Sequence, residues 1–136
     1  KVLYSSLGKL TTKSAWVLID ACFSGNDRAN STALNETQRG IVRNMKKEDV
    51  TGNVIVMTAA SNTETALSYD EKAHGLFSYY LMKKLQETKG NVSYGELYDY
   101  VKKEVTRKST VLMGKKQTPS ISVSKSMTAN WKNVKL

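Results

Sequence analysis

The chain is poor in several things, and each shortage closes a door. It holds one cysteine, so no internal disulfide and no multi-cysteine metal site can form. It holds one histidine and one proline. No run approaches the roughly 18 apolar residues of a membrane helix, so no membrane partner is expected. Acidic residues nearly vanish toward the end: residues 101–136 carry nine basic side chains and only Glu104, whereas residues 1–100 carry 12 basic and 11 acidic ones. No internal repeat and no low-complexity segment is present.

What remains is enough for one domain with a real core. Ala15-Trp16-Val17-Leu18-Ile19 and Val54-Ile55-Val56-Met57 are continuous apolar runs, as expected of strands covered on both faces. Val2–Leu10 has the spacing of a helix end. Leu76, Phe77, Tyr80, Leu81 and Leu85 give a helix with one apolar face, which Lys89-Gly90-Asn91 stops. Ser93 and Glu96 match a capping box, and Leu97, Val101 and Val105 form the buried stripe of the helix that follows. Ser120-Ile121-Ser122-Val123-Ser124 alternates, so it reads as a strand with one wet face near a sheet edge, and Pro119 suits its start. Ser61–Asp70 reads as a loop. The order predicts an α/β layered fold with parallel strands.

The lone Cys22 follows the first strand in Asp20-Ala21-Cys22-Phe23-Ser24-Gly25. Strand ends are where α/β folds gather catalytic and binding groups. Two readings stand side by side: a buried structural cysteine, or a nucleophile flanked by a carboxylate and small residues. In a strand Asp20 emerges on the same face as Cys22. A carboxylate there raises a thiol's pKa unless it has a task, either orienting a base or pairing with a cationic substrate group.

Asp20-Ala21-Cys22-Phe23-Ser24-Gly25 resembles the nucleophile loop of the caspase/metacaspase-like cysteine peptidases, especially bacterial ones. Thr58-Ala59-Ala60-Ser61, His74-Gly75-Leu76-Phe77-Ser78-Tyr79-Tyr80-Leu81 and Gln117-Thr118-Pro119 resemble later segments of the same family, in the same order. The resemblance spans about Leu7 to Val123. It implies a caspase-like α/β fold, mostly parallel with flanking helices, and an endopeptidase with Cys22 as nucleophile. It implies that Asp20 lines an acidic pocket for Arg or Lys, and that Ser61 completes that pocket. Caspases place their base histidine about 50 residues before the cysteine, yet only 21 residues precede Cys22 and none is histidine. The expectation is therefore the C-terminal portion, 1–136, of one peptidase domain, with the first strands and the base upstream.

His74 is the remaining candidate base, but the resemblance does not assign it that task; a surface or capping role is the default. The polar segment 26–49, with Arg28, Arg39, Arg43, Lys46 and Lys47, corresponds to the linker where such zymogens are clipped, although an ordinary solvated loop would look the same. No cofactor is expected. Some metacaspases hold calcium with a carboxylate cluster, but Asp27 is the only acid close after Cys22. The expected partner is a peptide or protein substrate. The basic C-terminal third reads as a solvated helix face and tail, without the aromatic interleaving of a nucleic-acid site, so a nucleic-acid partner is not expected. A cytoplasmic location is expected, with a secreted free-thiol enzyme as the alternative. The rival function is a non-catalytic caspase-like interaction module.

Overall fold

The computed structural model describes residues 2–21, 50–61 and 64–136. Helix α1 (Val2–Gly8) leads into strand β1 (Ala15–Ile19). Strand β2 (Val54–Thr58) follows, then a hairpin of two short strands, β3 (Ser68–Tyr69) and β4 (His74–Gly75). Helices α2 (Leu76–Thr88) and α3 (Tyr94–Met113) precede the last strand, β5 (Ser120–Val123). Single 3-10 turns at Lys125–Met127 and Trp131–Asn133 close the chain.

The main sheet has the order β1-β2-β5. Val54, Ile55, Val56 and Met57 of the central strand are fully buried, each apolar side chain contributing about 1.5–3 kcal/mol relative to exposure. Strand periodicity splits them between two layers. Val54 and Val56 face α1, where Tyr4, Val50, Val17 and Ile19 complete one cluster. Met57 faces α2 and α3, among Leu76, Phe77, Leu97, Val101 and Val105. Ile55 joins Tyr94, Met127 and Trp131 on that second face. Trp16 stacks on Tyr94 with ring centroids 4.0 Å apart. The α1 layer sits close because Gly52 turns with φ +67°, and a side chain there would overlap the Gly8 backbone.

The mixed α/β architecture matches the expectation, but two features differ. First, β5 runs antiparallel to β2, with Thr58 opposite Ser120 and Ile55 opposite Val123. The cause is the pair of helices. Lys84 of α2 covers the ring of Tyr100 and Lys108 of α3 covers Tyr69, so α3 runs back along α2. Two antiparallel helices return the chain to the sheet end where β2 finished, and β5 must run the other way. Second, β1 is less buried than a strand covered on both faces would be: Leu18 is 40% exposed and the strand's other residues are half-buried. Among the described residues β1 pairs only with β2.

Local signals act as read. The Ser93 hydroxyl accepts from Glu96 N–H and the Glu96 carboxylate accepts from Ser93 N–H, a complete capping box. Helix α2 ends with Gly90 N–H on Leu85 O and Lys89 N–H on Gln86 O, the paired bonds of a Schellman motif. The left-handed position there is Lys89, φ 51°, with Gly90 also at positive φ.

Candidate active site

Parallel pairing brings the C-terminal ends of β1 and β2 to one rim of the sheet. Ala59 N–H donates to Ile19 O at 2.8 Å, which extends the pairing past the strand ends. Asp20 follows Ile19 directly, and Ser61 lies three residues beyond Thr58. The antiparallel β5 begins at the same rim, so Gln117 and Thr118 arrive there too. Cys22 and the segment 26–49 lie outside the described residues.

Asp20 has the parity of Trp16 and so points to the helical layer. Its Oδ2 accepts from the Ser78 hydroxyl at 2.6 Å and from Ser78 N–H at 3.2 Å. Ser78 is the third residue of α2, whose first turn has N–H groups without helical partners. The cap position is Gly75, which makes no side-chain cap hydrogen bond. Asp20 therefore caps α2 from another element. A side chain at Gly75 would overlap the Asp20 carboxylate, so glycine is what admits this approach.

Glu64 N–H donates to Ser61 O at 3.0 Å. The Glu64 carboxylate accepts from Ser61 N–H at 3.4 Å, from Thr118 N–H at 2.5 Å and from the Thr118 hydroxyl at 3.1 Å. Burial pushes the Glu64 carboxyl up, but the hydrogen bonds from Thr118 and Ser61 together outweigh it and hold the group below the usual carboxylate range.

Gln117 is fully buried. Its Nε2 donates to Ala59 O at 2.9 Å and its Oε1 accepts from Leu67 N–H at 2.8 Å. Its own N–H donates to the Ser109 hydroxyl of α3 at 3.0 Å. The Gln117 side-chain amide thus fastens the loop containing Ser61 at both ends, while its backbone N–H ties the residue to α3. His74 stands apart, exposed on the β3–β4 hairpin opposite Tyr69. Among the described residues no group of three or more His, Cys, Asp or Glu could hold a metal ion, and no helix is long and apolar enough to cross a membrane.

A strand-end carboxylate capping a helix, beside a loop stitched to an antiparallel return strand, is the frame on which a family model lies: the caspase domain matches residues 3–130. The chain belongs to the caspase-domain family. No curated protein matches it. Membership places this caspase-domain chain among cysteine-peptidase-like hydrolases. The match runs through every element described here as far as the turn before Trp131. Within this caspase domain, sequence reasoning missed Glu64 altogether, since no local pattern flags one acid in a polar loop. Gly75, Ser78 and Gln117 stood inside segments that resembled the family, but their contacts with Asp20 and Ala59 had no local signal.

Proposed function

We propose that this caspase-domain chain carries the nucleophile and the acidic specificity pocket of a cysteine endopeptidase that cleaves after Arg or Lys. The Cys22 thiolate attacks the scissile carbonyl carbon. The C–N bond then breaks, and the amine leaves with the proton that a base histidine, supplied from upstream of this chain, took from the thiol. Water hydrolyses the thioester and restores the thiol. Asp20 pairs with the cationic side chain, and Ser61 lies on the neighbouring strand's loop to complete the pocket. Segment 26–49 is the site of processing. The observation that supports this reading most is Asp20 itself: a carboxylate two residues before the only cysteine, held in place at the sheet rim.

The test uses the enzyme in its natural full-length form. An acyloxymethyl ketone bearing Arg should label Cys22, and Cys22→Ala should abolish turnover. Asp20→Ala should lower cleavage after Arg by about thirtyfold or more, as expected when an ion pair worth about 2 kcal/mol or more is lost. Undiminished cleavage by Cys22→Ala, or equal wild-type cleavage after Arg and Asp, would refute the proposal.

A further inference from the structure

A carboxylate that selects a cationic side chain must be held still, because a rotating one pairs with many geometries and discriminates poorly. Asp20 stands beyond the last residue of β1, where strand pairing alone does not fix its side chain. What fixes it lies 58 residues away in sequence. The Ser78 hydroxyl donates to Oδ2 of Asp20 over 2.6 Å, a short O–H···O hydrogen bond. The Ser78 N–H approaches the same oxygen, Oδ2. Gly75 removes the one side chain that would push the carboxylate away, and a residue without a side chain also cannot cap α2 in its place.

From this geometry we propose that Ser78 and Gly75 are positioning residues for specificity. They set the orientation of the Asp20 carboxylate and thereby the preference for a basic side chain, without touching the substrate themselves. The inference rests on the reading of Asp20 as the pocket carboxylate. It assigns the determinant of selectivity to the first turn of a helix and not only to the cysteine loop.

Discrimination is the ratio of kcat/KM for matched peptides with Arg and with Gln before the cleaved bond. In the full-length enzyme Ser78→Ala should lower this ratio about tenfold, through KM, as expected on losing one hydrogen bond to a charged group while the amide bond remains. Ser78→Thr, which keeps the hydroxyl, should restore it to within about twofold by the same reasoning. Gly75→Ala should lower the ratio as far as Asp20→Ala does, because its methyl occupies the carboxylate's place. The double variant Asp20→Ala/Ser78→Ala should discriminate no worse than Asp20→Ala alone, since Ser78 acts through Asp20. Alkylation of Cys22 by iodoacetamide should stay near the wild-type rate in Ser78→Ala and Ser78→Thr, which a general loss of structure would not allow.

A wild type without preference for Arg over Gln would remove the Asp20 reading and this inference with it. A preference present in the wild type but retained by both Ser78→Ala and Gly75→Ala would overturn the positioning role alone. Should Ser78→Ala fail to fold, Gly75→Ala decides the matter from the opposite side of the same carboxylate.

Discussion

Replacing Gln117 by Met keeps nearly the same length and volume but removes both side-chain hydrogen bonds of the buried amide. The backbone N–H of residue 117 keeps its bond to the Ser109 hydroxyl, so the change isolates the two bonds to Ala59 O and Leu67 N–H. Neither group has an obvious replacement: Ala59 is 1% exposed, and the Leu67 amide faces the same interior side chain. A buried donor or acceptor left unpaired costs about 1–3 kcal/mol. Ala59 O belongs toward the upper end of that range. Leu67, half-buried, belongs toward the lower end because water can reach it after modest adjustment. The thioether adds back some apolar contact. The expected loss is about 2–4 kcal/mol, a large part of the 5–15 kcal/mol that holds a typical domain together. Urea unfolding followed by tryptophan fluorescence should show the midpoint falling with an unchanged slope. The same variant should raise KM for Arg peptides, because the loop that carries Ser61 loses two of its ties and keeps those from Thr118 to Glu64. A stability within about 0.5 kcal/mol of the wild type, the range of surface substitutions, would refute the assignment of Gln117 as the clasp of this rim.

Two further outcomes follow from other contacts. Ser93→Ala removes the cap of α3 and should cost about 0.5–2 kcal/mol in unfolding free energy, with no change in the Arg-to-Gln ratio; a change in that ratio would contradict its place far from the rim. Glu64→Gln should destabilise near neutral pH but not in acid. The folded-state pKa of Glu64 lies below its unfolded value, so its contribution is complete above about pH 4.3 and is lost as pH falls through the lower folded value. Denaturation curves of wild type and Glu64→Gln should converge as pH drops through that window, and a constant gap down to pH 3 would remove the linkage.

The parts of the fold that could be read from sequence are those with local causes. Apolar runs marked β1 and β2, helical spacing marked α2 and α3, and the Ser93–Glu96 box and Lys89-Gly90 stop marked helix ends. Alternation marked β5, which is an outer strand among the described residues. The direction of β5 was not legible, because it depends on the number of helices between two strands and not on any residue in the strand. The β3–β4 hairpin was missed since two-residue strands show no period. At the site, strand ends pointed to Asp20 and Ser61, but what holds them did not show. Ser78 with Asp20, and Gln117 with Ala59, are each separated by 58 residues. Nothing near either residue announces its partner. The aromatic company of the basic residues was also hidden: Lys102 and Lys108 of α3 lie over the rings of Tyr98 and Tyr69, and Lys132 over Trp131. Part of the positive charge in the last third is thus seated on aromatic faces.

The bond from Gln117 to Ala59 closes a loop of 58 residues. Joining the ends of so long a flexible chain costs about 3–4 kcal/mol by loop-closure entropy, before any constant term. One amide hydrogen bond contributes less than that on its own. The clasp can therefore hold only after α2 and α3 have taken up most of the slack and β5 has paired with β2. In the time order of folding it belongs among the last contacts to form, and the pocket rim matures with the finished molecule and not with any one segment of it.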